Sequence, residues 1–88
     1  MIVKELEVRN ELGFHARVVS RLVREAKKFE SAVSVRKGQD LCDLKNIMGA
    51  IMVNAKKGDI LTVEFNGADE QQASESITQL FSQKFGER

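Results

Sequence analysis

Residues 2–29, IVKELEVRNELGFHARVVSRLVREAKKF, change their hydrophobic period once, and that change decides the fold. Over residues 2–8, Ile2, Lys4, Leu6 and Val8 alternate with Val3, Glu5 and Glu7. A period of two places successive side chains on opposite faces, so this stretch reads as a half-exposed strand. The run from Asn10 to Gly13 breaks the alternation. From Ala16 onward Val19, Leu22, Val23, Ala26 and Phe29 recur at helical spacing, while Arg21, Arg24, Glu25, Lys27 and Lys28 take the other side. That is an amphipathic helix of about three turns, reached from a strand across one short loop.

The same reading extends outward to the rest of the chain. Val33 and Val35 mark a second strand from Ala32 to Arg36, Lys37-Gly38 reads as a turn, and Asp40 to Asp43 forms a short third strand, completing a hairpin. Asn46 to Ala55 is apolar almost all round, and Lys56-Lys57-Gly58 closes it with the cations and glycine that favour a helix C-terminus. Ile60 to Phe65 alternates again, with Leu61, Val63 and Phe65 on one face, before Asn66-Gly67 ends the run. A last helix is expected from Asp69 to about Phe85, with Ala73, Ile77, Leu80, Phe81 and Phe85 on one stripe and Asp69 and Glu70 in the first turn. The expected order is β-α-β-β-α-β-α in a single domain spanning residues 1–88. It implies an open, mainly antiparallel α+β sheet covered on one side and wet on the other.

Composition narrows the function classes. The chain has 88 residues, enough for one core layer but not for a deep internal cavity, so a functional site belongs on the surface. Fourteen basic and thirteen acidic residues leave a net charge of +1, too little to draw nucleic acid or an anionic membrane. Tryptophan and tyrosine are absent, which leaves no aromatic platform for stacking bases beyond scattered phenylalanines. Cys42 is alone, without metal-ligand spacing around it, and reads as a small buried hydrophobe. No apolar run reaches membrane-spanning length. These features point to a cytoplasmic protein with no metal, cofactor, nucleic acid or membrane partner.

His15 is the only histidine, and it stands directly before the helix-patterned stretch with Arg17 two residues on. A helix start presents unpaired N–H groups and the positive end of the helix dipole, both of which favour phosphate. Arg17 adds a forked cation. Imidazole titrates near neutrality, is nucleophilic when neutral and is a good leaving group once phosphorylated. Reversible phosphoryl transfer is the chemistry these neighbours suit. In the second helix, apolar residues on more than one face leave some exposed, and Ile47, Met48 and Ile51 read as a partner-docking patch. Arg21, Arg24 and Lys45, with Lys27 and Lys28, would steer an acidic partner toward the same face.

Gly13-Phe14-His15-Ala16-Arg17, Lys45-Asn46-Ile47-Met48-Gly49, the Lys57-Gly58 turn and Gly67-Ala68-Asp69-Glu70 together resemble the HPr family, the histidine-containing phosphocarriers of the bacterial phosphotransferase system. The resemblance spans essentially the whole chain. It implies an open-faced β-sandwich, a four-stranded antiparallel sheet with three helices on one face. It further implies a monomeric carrier, not an enzyme. His15 would accept a phosphoryl group on Nδ1 from enzyme I, itself charged by phosphoenolpyruvate, and pass it to an EIIA domain of a sugar or regulatory system. By the same resemblance Arg17 steadies the phosphate oxygens, and the backbone N–H groups of Ala16, Arg17 and Val18 bind them. Two positions depart from the family pattern. Val18 stands where proline is usual, giving up a residue that pre-sets the first helical turn. Asn46 stands where many Gram-positive members carry a regulatory serine, so serine phosphorylation at that site is not available. The run from Asn10 to Arg17 resembles the nitrogen-related branch, and both the sugar-uptake and regulatory branches stay open.

Two other classes compete with this reading. An acylphosphatase-like hydrolase shares the size and an arginine before a helix. It wants a cradle with several glycines and an asparagine holding water, whereas this loop has one glycine and a histidine. A purely regulatory or RNA-binding split β-α-β module is opposed, for RNA, by near-zero net charge and the lack of paired sheet aromatics.

Overall fold

In β4 (Ile60–Asn66), Leu61, Val63 and Phe65 are fully buried while their neighbours face outward, and the strand is hydrogen-bonded along both edges. The computed structural model describes Met1–Glu87, and in it β4 is an inner strand. β1 (Ile2–Glu7) pairs with it on one side, Ile2 opposite Phe65 and Glu7 opposite Ile60. β2 (Ala32–Lys37) pairs on the other, Val33 opposite Phe65 and Val35 opposite Val63. β3 (Asp40–Asp43) extends β2 as a hairpin, giving an antiparallel sheet in the order β1-β4-β2-β3. The hairpin turn falls one residue later than expected: Lys37 completes β2, and Gly38 turns the chain with φ +61°.

Three helices, α1 (Ala16–Ala26), α2 (Ile47–Val53) and α3 (Glu70–Ser82), complete the expected β-α-β-β-α-β-α order. α3 lies against β1 and β4, α2 against β3, and α1 touches both other helices. One core joins these layers: Val18, Val19, Leu22 and Val23 of α1, Ala50 and Val53 of α2 and Ile77 and Phe81 of α3 pack on the sheet's inner residues. Burying each large side chain contributes about 1.5–3 kcal/mol before the entropy of ordering it is subtracted. The opposite face of the sheet stays open, with Val3 and Ile60 each 54% exposed. Cys42 is buried in the core cluster, and burial pushes its thiol up from the ordinary value, which keeps it protonated.

Two element ends differ from the sequence reading. α2 stops at Val53, because Asn54 takes the left-handed conformation (φ 53°) and its N–H bonds back to the Ile51 carbonyl. Lys56-Lys57-Gly58 is therefore not the helix cap. It is a separate turn before β4, closed by the Lys56 N–H donating to the Asp59 carboxylate. α3 likewise ends at Ser82, short of Phe85. Lys84 and Phe85 adopt positive φ (55° and 57°) in a short 3₁₀ turn, Lys84–Gly86. Phe85 is still buried, but it reaches the core through that turn and not along a helical stripe. Tertiary contacts to the turn, described next, override the 3.6-residue period that had placed it there.

Candidate functional site

The loop between β1 and α1 is pinned at three points. The Phe14 N–H donates to the Ala55 carbonyl at 2.8 Å. Its ring packs against Phe81 and Phe85, with centroids 6.1 Å from each. At Gly13 the φ is +65° and an added Cβ would lie 2.4 Å from the Ala55 carbonyl oxygen, so both conformation and space demand glycine. With Phe14 held inward, the next residue, His15, is turned to the surface, its side chain 27% exposed.

His15 is the N-cap of α1, in extended conformation (φ −88°, ψ 172°), and its side chain makes no cap bond to the helix. No acidic residue occupies the first turn. The first backbone bond of the helix runs from the Val19 N–H to the His15 carbonyl. The N–H groups of Ala16, Arg17 and Val18 therefore lie at the open positive end of the helix, free of cap. The Val18 side chain is buried, so valine in this position is a core residue as well as a backbone donor. Arg17 is 85% exposed, with Nη1 3.9 Å from the Glu87 carboxylate.

Glu87 was not anticipated from sequence. Both of its carboxylate oxygens lie 2.8 Å from His15 Nε2, from a position 72 residues away. Asn10 is the other unforeseen member: it is fully buried, and its Nδ2 donates to the Gly13 carbonyl at 2.8 Å and to Glu87 Oε1 at 3.3 Å. The Glu87 carboxyl is held below the ordinary glutamate range, chiefly by its hydrogen bond to His15. An Asn three residues before a glycine is a turn signal, but nothing local to residue 87 marks it as part of a site.

The residues expected to face a partner separate into two kinds. Ile47, Met48 and Ile51 are 45%, 67% and 39% exposed, and Met52, not singled out from sequence, is 76% exposed beside them. The Ala55 carbonyl that holds Phe14 lies two residues beyond the end of α2, so the segment that follows this helix is tied to the His15 loop by a backbone bond. Leu12, 74% exposed in the loop itself, adds to the apolar surface. Arg24 is exposed. Arg21, though exposed, donates from Nη1 to the Phe85 carbonyl at 2.9 Å. Lys45 is half-buried, with Nζ donating to the Phe29 carbonyl at 2.8 Å, so its charge is tied to the fold. Among the described residues no cluster of His, Cys, Asp and Glu could hold a metal ion, and no helix is long and apolar enough to cross a membrane.

Fold and geometry together define a small open-faced α+β protein whose single histidine stands at the start of α1, without a side-chain cap. A family model described as "PTS HPr component phosphorylation site" matches residues 2–83. The phosphocarrier protein HPr of Neisseria meningitidis serogroup A is 38% identical over 87 residues, covering 99% of this chain and 98% of that protein. The HPr of Xylella fastidiosa is 36% identical over 88 residues, with the same coverage. A crystal structure of HPr from Thermoanaerobacter tengcongensis superposes with a TM-score of 0.96 at 32% identity, over 100% of this chain and 99% of that one. The chain belongs to the HPr family, the phosphocarriers of the phosphotransferase system.

Proposed function

We propose that this chain accepts a phosphoryl group on His15 from phosphorylated enzyme I and passes it to an EIIA domain, acting as a monomer in the cytoplasm. The observation that carries this reading is the partly exposed imidazole at the uncapped start of α1 with Arg17 beside it. A phosphoryl group on the ring would meet the open N–H groups of Ala16, Arg17 and Val18, which supply neutral donors along the helix dipole. Arg17 is held only loosely and can turn its guanidinium onto the phosphate oxygens, adding a charge-assisted bond. These donors stabilise the adduct without capturing it, as a carrier that must give the group away requires.

Docking is assigned to the apolar patch of Ile47, Met48 and Ile51, extended by Met52 and Leu12, with Arg24 and Arg21 attracting an acidic partner to its edge. Lys45 contributes less, because its ammonium already serves the Phe29 carbonyl. At Asn46 the side chain caps α2 by accepting from the Gly49 N–H at 3.2 Å, so the residue in the regulatory-serine position has a structural task here.

The test is incubation with phosphoenolpyruvate and purified enzyme I, followed by mass spectrometry. The wild type should gain one phosphate, acid-labile and base-stable as expected of a phosphoramidate. A His15→Ala protein should gain none. Phosphate on that variant would overturn the assignment.

A further inference from the structure

The chain reaches His15 a second time, at its far end. After α3, the residues Lys84, Phe85 and Gly86 take three consecutive positive φ angles of 55°, 57° and 78°. Left-handed backbone costs a non-glycine residue about 1–2 kcal/mol, and here two such residues stand in succession. Contacts hold the turn against that cost. The Phe85 ring packs edge-on to Phe81 at 4.9 Å between centroids, and Arg21 donates to the Phe85 carbonyl. Gly86 leaves room for that arginine, since a Cβ there would lie 2.7 Å from Arg21 Nη1. The Glu87 N–H closes the turn on the Lys84 carbonyl at 2.9 Å. The outcome is a strap that delivers one carboxylate onto one ring nitrogen.

A carboxylate only accepts hydrogen bonds, so the nitrogen facing it must carry the proton. In the neutral ring this sets the hydrogen on Nε2 and the lone pair on Nδ1. The geometry points to Glu87 as the positioning residue for phosphoryl acceptance: it selects the Nε2–H tautomer, leaves Nδ1 as the nucleophile and balances the positive charge that the ring gains in the reaction. This inference rests on His15 being the acceptor. In the step, the Nδ1 lone pair attacks the phosphorus of a phosphorylated donor protein. The Nδ1–P bond forms as the bond from phosphorus to the donor's leaving atom breaks, and that electron pair returns to the donor. The Nε2 proton stays in place, so the ring becomes a phosphorylated imidazolium facing Glu87. The logic is that of a carboxylate behind a catalytic histidine. Asn10 acts one step further back, donating Nδ2 to Glu87 Oε1 from a fully buried position. Arg17, 3.9 Å from the same carboxylate, is the group that changes partners when phosphate arrives.

The experiment combines ¹⁵N NMR of the imidazole with phosphoryl transfer from enzyme I, on wild type, Glu87→Ala and Glu87→Gln. In the wild type the neutral form of the His15 ring should give one protonated signal at Nε2 and one lone-pair signal at Nδ1. In Glu87→Ala the two shifts should move toward each other as the tautomers mix. The transfer rate should fall at least about tenfold, the scale of one lost charge-assisted hydrogen bond. Glu87→Gln, which keeps an acceptor but no charge, should restore the nitrogen shifts and only part of the rate. Wild-type shifts and wild-type rate in Glu87→Ala would overturn the inference while leaving His15 as acceptor. A wild type that takes no phosphate would overturn both.

Discussion

α1 and α2 begin in opposite ways. At the start of α2 the Asn46 side chain closes onto the Gly49 N–H, whereas at the start of α1 His15 leaves the first N–H groups uncapped. Their flanks are opposite too. α1 buries Val18, Val19, Leu22, Val23 and Ala26 and turns its charges to solvent; α2 buries only Ala50 and Val53 and leaves Ile47, Met48, Ile51 and Met52 in water. The longer of the two holds the fold with its side and leaves its start open. The short one is capped at both ends, by Asn46 and by left-handed Asn54, which lets it present apolar residues it does not bury. One helix leaves its first N–H groups open and the other leaves apolar side chains in water, and each feature is a local departure from what stability alone favours.

The largest effect that would test this division is a cavity in the helix that holds the fold. Leu22 has no exposed surface, and Leu22→Ala should destabilise by about 2–5 kcal/mol, a large share of a small domain's stability. Urea unfolding measures it. A loss below about 1 kcal/mol would mean that α1 is not the principal packing helix.

The second effect lies on the exposed helix and concerns binding. Met48→Glu should weaken enzyme I association at least about tenfold, or roughly 1.4 kcal/mol. Stability should change by no more than about 0.5 kcal/mol, as for an ordinary surface substitution. Melting temperature and affinity, taken on the same sample, separate docking from folding. A sharp melting loss with normal affinity of the folded fraction would make Met48 a core residue and erase the contrast.

The same two helices show which features could be read without coordinates. The α1 stripe was legible because Val19, Leu22, Val23 and Ala26 follow the helical period with charges opposite, though Phe29 falls beyond the helix and Val18 joins the stripe from its first turn; the inner residues of β4 were legible by strict alternation. The place of His15 and Arg17 at a helix start was legible because both sit beside the strand-to-helix change. The end of α2 departs from its sequence pattern. Lys56-Lys57-Gly58 carries every usual sign of a helix C-terminus, but Asn54 reaches the left-handed conformation first and ends the helix there. Phe85 fell on the α3 stripe by spacing and reaches the core by a left-handed turn instead. Glu87 and Asn10 could not have been found locally, since their meeting depends on that turn, on Arg21 and on an aromatic cluster assembled from both ends of the chain. Period and local motif reveal what one element does; they are silent on side chains brought together across 72 positions.

The smallest expected effect concerns the capped start itself. α2 has only seven residues, with Gly49 and three β-branched residues, Ile47, Ile51 and Val53, none of which favours a helix. A helix that short does not persist on propensity, so its shape rests on two buried side chains and its caps. Removing the Asn46 side-chain oxygen leaves the Gly49 N–H without its partner. Asn46→Ala should therefore cost about 1 kcal/mol, the usual value for an N-cap. Asn46→Asp keeps the acceptor and adds a negative charge at the positive helix end, so it should retain or slightly exceed wild-type stability. Urea midpoints give the size of each change, and hydrogen exchange at the Gly49 amide shows where it acts: faster in the alanine variant, protected in the aspartate one. If alanine costs nothing and the Gly49 amide stays protected, Ala50 and Val53 alone hold α2, and the contrast between a capped and an open helix start loses its energetic basis.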